Sequence, residues 1–445
     1  GKSPFSDLVT GTIKSVIDQY YTNWKLFITS VDTNSYDDNR VKSLQNRLIS
    51  QDSVQFNFAS TKVDADFLIF LTPKDRLSPY ALVEYILKLG NNPETKILYG
   101  DDDHIHLGGY RTNPHFKSKL DKIRLLNLNY IGEVFFINQE LFNQLGGFSE
   151  DELIDPYHDF LSRATVKCKS EQILHIPRVL THRVEILSQN NIFDNKKREL
   201  TLKRNIPNKD WHLCNSKGLL RLIPKIDQDK FVSIIIPSAC KLEYLKPCID
   251  SILNKTHRTK FEILLIVNEI RLEKAEIKAY LDDLTRDKFV QVIQYKNQPF
   301  NYSKIINLGV TKARADNICF LNDDIEVISR EWLDELISWL LVDGVGAVGA
   351  RLLYPDKSIQ HAGVAIGVNG MADHLEKGKL REDAGDFARI LFPRELFAIT
   401  GGCMVVRKDV FEQISGFDEN LAEAFNDVDF CIRLQQNGFK VVFNP

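Results

Sequence analysis

The stretch Ile318-Cys-Phe-Leu-Asn-Asp-Asp-Ile-Glu-Val-Ile328 decides the fold. Four apolar residues, Ile318 to Leu321, run without interruption into Asn322, Asp323 and Asp324. A short unbroken apolar run is the pattern of a strand buried on both faces, as in parallel sheets. Ligands of open α/β sheets sit beyond the carboxyl ends of such strands. Adjacent acids there can hold a divalent cation against a substrate phosphate. Alone, the pair reads equally well as a polar turn closing a core strand.

The flanking segments extend the pattern on both sides. Val232 to Ile236 reads as a buried strand closed by Pro237-Ser238, and a helix follows over roughly Tyr244 to Leu253. Ile263 to Val267 is a second strand, ending at Asn268-Glu269, and Val290 to Ile293 a third. After Pro299-Phe-Asn301 a helix carries Ile305, Ile306, Leu308 and Val310. Alternating buried strands and helices predict a doubly wound α/β sheet. Its strand ends Ser238, Asn268 and Asp323 then share one rim, where a nucleotide can lie. Neither G-x-x-x-x-G-K-[ST] nor G-x-G-x-x-G precedes a helix here, so phosphates need another source of positive charge. That favours the cation reading of Asp324. Further on, Asp427 opens a predicted helix running to Gln436. It reads either as an N-cap or as a general base for an acceptor hydroxyl.

The chain also contains two copies of one pattern. Phe136-Ile-Asn-Gln-Glu-Leu-Phe-Asn-Gln-Leu-Gly-Gly-Phe148 matches Val405-Val-Arg-Lys-Asp-Val-Phe-Glu-Gln-Ile-Ser-Gly-Phe417, and Phe67 to Leu71 matches the strand at 317–321. The pair Ser15 to Tyr20 and Trp24 to Ile28 matches Ser251 to Thr256 and Phe261 to Leu265. This predicts tandem domains at 1–183 and 231–445, with 184–230 as an ordered linker. Aligning the copies sets Asp324 on Lys74, Asp427 on Tyr157 and Asp429 on Asp159. A lysine at a metal-ligand position repels a cation, so only the second domain reads as chemically competent. The alignment leaves the first domain without a counterpart of Phe231 to Pro237 and places the second copy's equivalent of His182 beyond Pro445. Both ends therefore read as incomplete.

Length and composition frame these readings. At 445 residues the chain exceeds what one core usually supports. A net charge of -3 gives no electrostatic footprint for nucleic acid. Seven cysteines without a C-x-x-C pair read as small core residues in a reducing compartment. No apolar run has the length of a membrane span. The expected location is the cytoplasm, with peripheral contact at the inner face of the membrane left open. The basic run Lys196 to Arg204 reads as a solvated linker helix, and Asp101-Asp-Asp-His-Ile-His106 as a solvated loop. His361 reads as structural.

Several ordered segments together carry a family resemblance. They are Val232-Ser-Ile-Ile-Ile-Pro237, Pro299-Phe-Asn-Tyr-Ser303, Phe320-Leu-Asn-Asp-Asp-Ile-Glu-Val327, Tyr354-Pro-Asp, Gln360-His-Ala-Gly-Val364, Ala398-Ile-Thr-Gly-Gly402 and Ala424-Phe-Asn-Asp-Val-Asp-Phe430. The chain resembles glycosyltransferase family 2, inverting enzymes of the GT-A fold, in particular tandem-domain bacterial members that build surface polysaccharides or glycosylate surface proteins. The resemblance implies two tandem GT-A (Rossmann-like, mostly parallel sheet) domains, the first degenerate. It implies Asp324 as the metal ligand for Mn²⁺ or Mg²⁺, Asp323 as a ribose contact and Asp427 as the catalytic base. Pro237, Ser238, Asn268, Glu269 and Asn307 match positions lining the nucleotide pocket, and Ala398 to Cys403 would border the acceptor. Three departures stand out: Asn268 where the family usually has Asp, Asn426 in place of an acid, and the C-terminal metal-binding histidine absent from the sequence.

The expected reaction moves a sugar from a UDP- or dTDP-sugar to a glycan or glycoprotein, with other glycosyltransferases as further partners. Two other readings stay open. A non-catalytic glycan-binding scaffold is favoured by Asn268 and Asn426. A sugar nucleotidyltransferase would need a Gly-rich, Arg-containing loop where Pro-Ser-Ala-Cys-Lys241 stands.

Overall fold

The structure is a computed structural model that describes residues 4–28, 54–56, 64–106, 109–184, 195–216, 218–226, 229–257, 260–296, 298–368 and 370–445. The chain forms two compact units, Gly1–Asn205 and Ile206–Pro445. The segment read as a linker divides between them. Helix Asn195–Arg204 belongs to the first, with Thr201 and Leu202 fully buried and Arg198 donating to the Asn127 carbonyl. The hairpin Trp211–Ser216 and Leu219–Pro224 belongs to the second. Residues 185–194, 217 and 227–228 of that segment lie outside the described residues. No described helix is long and apolar enough to cross a membrane.

The second unit is built on an eight-stranded sheet. Strands Val290–Tyr295, Phe261–Asn268, Val232–Ser238 and Asn317–Leu321 lie side by side and run parallel. Every residue of Val232–Ser238 and Phe261–Asn268 is buried, as their continuous apolar runs require when helices cover both faces. Beyond Asn317–Leu321 the order continues with Cys403–Arg407, Val345–Ala350, Lys440–Asn444 and Arg394–Glu395. Cys403–Arg407 is antiparallel to both of its neighbours, while Lys440–Asn444 is parallel to Val345–Ala350. Helix Tyr302–Lys312 packs on the sheet through Gly309, where a Cβ would come within 2.5 Å of Ile235 Cγ2. Its depth against the sheet depends on that missing methyl.

Part of this arrangement recurs in the first unit. Phe67–Ile69, Phe136–Asn138, Ile97–Ile105 and Ile173–Val184 occur in the same order and with the same senses: antiparallel, antiparallel, parallel. Among the described residues, only one pairing in this sheet is parallel, however. Asp75–Leu77 and Arg111–His115 add further antiparallel pairs. Strands Leu26–Ile28 and Val54–Phe56 form a separate parallel pair.

The acid-rich segment of the first unit differs from expectation. Asp101 to Ile105 is no solvated loop but the second half of strand Ile97–Ile105. Asp101 accepts from His175 Nε2 at 2.7 Å and from the Lys117 amide at 2.8 Å. Asp102 pairs with Lys117 Nζ at 2.6 Å. Asp103 meets His182 Nδ1, whose Nε2 lies 3.0 Å from Ser78 Oγ. Burial alone would raise the Asp102 carboxyl, but Lys117 and His115 hold it down to about 2. A strand tolerates three consecutive acids here because residues distant in sequence supply their partners.

Candidate active site

The second unit contains a cleft of about 340 Å³ at the end of strand Asn317–Leu321. Asn322, Asp323 and Asp324 form one wall. Thr400, Gly401 and Gly402, which lead into strand Cys403–Arg407, form another. Asn426 and Asp427, at the start of helix Asn426–Gln436, and Glu423 just before it close the third side. Pro237, Ala239, Phe300 and Tyr302 complete the lining. Four acids from two distant segments of the chain thus meet in one place because strand and helix ends converge there.

Asp323 and Asp324 sit differently. Ser238 Oγ donates to Asp323 Oδ2 at 2.6 Å and accepts from the Cys240 amide at 2.9 Å. Asp323 is therefore held by the end of the neighbouring strand. Burial raises its carboxyl above the ordinary range, the Ser238 bond opposes this, and the charge of Asp324 adds to the rise. Asp324 is exposed, one residue further along the turn.

Asp427 faces the opposite wall. Its Oδ2 accepts from the Gly401 amide at 3.0 Å and its Oδ1 from the Val428 amide at 2.8 Å. The Gly401 carbonyl in turn accepts from Tyr302 Oη at 3.1 Å. A Cβ at Gly401 would lie 3.1 Å from that same oxygen, so glycine permits the approach. Burial, followed by the charge of Asp427, drives the Tyr302 hydroxyl well above its usual range, keeping it a neutral donor. The N-cap position of the helix is Phe425, which makes no capping bond. Asp427 is therefore bonded across the cleft to Gly401 and is not the residue capping its helix. Each carboxylate oxygen keeps capacity for another hydrogen bond.

The remaining residues singled out in the sequence fall behind or beside this cleft. Asn268 Oδ1 caps the short helix Glu269–Glu273 by accepting from the Ile270 amide at 3.2 Å. Neither Asn268 nor the exposed Glu269 is among the residues lining the cleft. Asn307 also lies outside it. Its Nδ2 donates to the Phe417 carbonyl at 2.9 Å and its Oδ1 accepts from the Phe417 amide at 3.0 Å. It clamps the loop at 417–419. His361 is fully buried, with Nδ1 2.8 Å from His374 Nδ1 and Nε2 accepting from the Thr400 amide at 3.4 Å. Burial holds both rings below their ordinary range, hence neutral. Their place is beneath the Thr400 wall.

Tyr302, Phe300 and Glu423 were not assigned roles from sequence. Pro299-Phe-Asn-Tyr-Ser303 was conspicuous as a motif, and Asn301 within it caps helix Tyr302–Lys312 through a 2.9 Å bond to the Lys304 amide. Glu423 carried no signal, since it is one acid in a loop.

Charge limits what the cleft can bind. Four carboxylates (Asp323, Asp324, Glu423 and Asp427) line it, and no lysine or arginine does. An anionic phosphate could not settle there unaided. Among the described residues, no three His, Cys, Asp or Glu side chains could hold a metal by themselves. One or two carboxylates completed by substrate phosphates and water are the usual setting of a divalent cation in phosphate chemistry. The donor set fits that description.

The corresponding place in the first unit is filled from within. Arg183, on strand Ile173–Val184, lies 3.4 Å from Asp75 Oδ1 and 2.7 Å from Glu133 Oε2. Asp75 opens strand Asp75–Leu77 directly after the turn matching 322–324, and Glu133 lies before Phe136–Asn138 at the position that the repeat sets on Gly402. Tyr157 stands where the repeat places Asp427. Burial pushes its hydroxyl up to about 12, with Glu133 and Asp75 adding to the rise.

Residues 229–445 match the family model "Glycosyltransferase like family 2". The uncharacterised protein y4gI of Sinorhizobium fredii is 30% identical over 467 aligned positions, covering 100% of this chain and 51% of the relative. The O-antigen biosynthesis protein RfbC of Myxococcus xanthus is 29% identical, covering 97% of this chain and 35% of RfbC. The chain thus spans about half the length of the first relative and about a third of the second. Among solved structures, GalNAc-T7 with UDP, GalNAc and Mn²⁺ aligns with a TM-score of 0.41 at 16% identity, over 52% of this chain and 45% of that one. The mannosyltransferase PcManGT from Pyrobaculum calidifontis, in complex with GDP-Man and Mn²⁺, aligns with a TM-score of 0.37 at 13% identity, over 54% of this chain and 60% of that one.

Proposed function

Through its second unit the chain belongs to glycosyltransferase family 2, and from that premise we propose that it is an inverting, metal-dependent transferase using a nucleotide-sugar donor. The carrying observation is the cleft in which Asp323, Asp324 and Asp427 meet with no basic side chain among them. The donor is a UDP- or dTDP-sugar, and the acceptor a glycan or glycoprotein of a surface polysaccharide pathway, in keeping with the O-antigen name of one relative.

In this reading Asp324 would hold Mn²⁺ or Mg²⁺ in the cleft. When bound, the cation supplies the positive charge that the cleft lacks and stabilises the departing nucleoside diphosphate. Asp323, steadied by Ser238, receives the ribose, and Pro237 borders the nucleotide. Asn268 and Glu269 lie outside the cleft lining, where Asn268 caps the short helix Glu269–Glu273, and Asn307 clamps the loop at 417–419.

Asp427 accepts the proton of an acceptor hydroxyl while the hydroxyl oxygen attacks the anomeric carbon. The bond to the nucleoside diphosphate breaks on the opposite face, so the anomeric centre inverts in one displacement. Inverting glycosidases use the same opposed placement of base and leaving group. The Gly401 amide orients the carboxylate, and Tyr302 fixes the Gly401 peptide from its other side.

Calorimetry of UDP and dTDP with and without Mn²⁺ tests the reading. Metal-dependent binding that disappears in Asp324→Ala is expected. Metal-independent binding, or none, would favour the scaffold reading instead. The configuration of the transferred sugar, read by NMR, tests inversion.

A further inference from the structure

The residue two positions before the proposed base is unusual in three respects. Phe425 has φ 60° and ψ 5°, the left-handed region, which strains a bulky side chain. It occupies the N-cap of helix Asn426–Gln436, yet cannot supply the oxygen that such a position normally offers. Its ring is also 40% exposed.

The first unit provides an internal control. There the same helix, Pro156–Lys167, starts from Asp155, with φ -72° and ψ 108°. The Asp155 carboxylate accepts from the amides of Tyr157 and His158, both at 3.0 Å. The repeat sets Phe425 on Asp155. One copy thus has an unstrained, bonded cap, and the other has a strained, uncapped, exposed aromatic.

The surrounding chain fixes this arrangement. Ser303 Oγ donates to the Leu421 carbonyl at 2.6 Å, and the Tyr302 amide to the Ala422 carbonyl at 2.7 Å. The turn from 421 to 426 is thereby strapped to the helix that carries Tyr302. Glu423, Asn426 and Asp427, on either side of Phe425 in the chain, line the cleft, as does Phe300, itself 52% exposed. Aromatic rings at a polar cleft offer an apolar face that carboxylates cannot. A pyranose ring has a matching face of C–H bonds.

Resting on the glycosyltransferase reading, we propose that Phe425, with Phe300, forms the aromatic wall of the acceptor subsite and stacks on a pyranose ring whose hydroxyl faces Asp427. Phe425 itself is not among the residues lining the cleft; it stands beside Asn426, which is, so its exposed ring would meet the acceptor from the rim.

Phe425→Asp, Phe425→Trp and the parent protein test this. Each is measured by thermal unfolding, by calorimetric UDP binding in Mn²⁺, and by saturation-transfer NMR with methyl glycosides of common hexoses and deoxyhexoses in the presence of UDP and Mn²⁺. Aspartate tolerates the left-handed backbone better than phenylalanine and places a negative charge at the helix N-terminus, so its Tm should rise by about 2 °C while the glycoside signal falls about tenfold. The tryptophan variant should keep the signal, and UDP binding should persist in all three. The proposal is overturned if Phe425→Asp keeps the glycoside signal, or if its Tm falls, which would make the ring a packing residue. It is also overturned if the parent binds UDP but gives no signal with any glycoside. A parent that fails to bind UDP overturns the functional reading itself, and the acceptor wall with it.

Discussion

The two units run four strands in the same order and senses, and both open a helix beside the end of the first of these strands. What they share is mechanical. In the second unit Arg433 bonds Asp429 and reaches the carbonyls of Ile414 and Gly416. In the first, Arg163 bonds Asp159 and reaches those of Leu145 and Gly147. This clamp ties the helix to the same turn in both copies. What they do not share is the chemistry. Asp324 and Asp427 become Lys74 and Tyr157, and an arginine fills the space between the walls. Of two acids spaced two residues apart, Asp427 and Asp429, the one present in both copies holds the fold. The other, present in one, faces the cleft.

The largest effect should come from Asp324→Ala, which is expected to lower metal-dependent UDP affinity and sugar transfer by about 10³-fold. The reciprocal Lys74→Asp should confer no metal binding on the first unit, because Arg183 already neutralises the local carboxylates. Metal titration of that variant would break the comparison if it bound Mn²⁺. Next in size, Asp427→Asn should reduce transfer by about 10²–10⁴-fold. Its affinity for UDP and Mn²⁺ should stay at the parent value, and calorimetry beside a transfer assay separates the two.

The stability of the first unit offers smaller but sharper tests. Asp102 is held at about 2, below its unfolded value of about 3.9. Such a group stabilises fully above the higher value and loses its contribution as pH falls through the lower one. Acid unfolding should therefore show a loss on the order of 2 kcal/mol between about pH 4 and pH 2. Lys117→Met should weaken this pH dependence. Arg183→Met should cost about 1–2 kcal/mol in denaturant unfolding, less than a buried pair because the guanidinium is 36% exposed. Smallest of all, Arg163→Met and Arg433→Met should each cost about 1 kcal/mol, by similar amounts in the two units. Unequal costs would show that the shared clamp is not equivalent.

The sequence was most legible where local pattern and tertiary role coincide. Continuous apolar runs marked the strands ending at Ser238, Asn268 and Leu321, and the acids after the last of these lie in the cleft. The acidic run at 101–105 misled because its partners, Lys117, His175 and His182, arrive from other strands. Asn307 could not be told from a cleft residue, since its use as a clamp depends on where the Phe417 backbone passes. Phe425 gave no warning either. Its backbone angle follows from bonds that Tyr302 and Ser303 make to the preceding loop, and no local propensity encodes those. Arg183 became a plug only once strand Ile173–Val184 had extended to pair with Asp75–Leu77.

That plug has a consequence for how the halves respond to their surroundings. A guanidinium covalently attached to the chain as a side chain cannot be chelated, diluted or exchanged for another ion. The charge balance around Asp75 and Glu133 is therefore indifferent to metal supply, and a chelator such as EDTA should leave the melting of the first half untouched. Only its sibling would feel manganese scarcity.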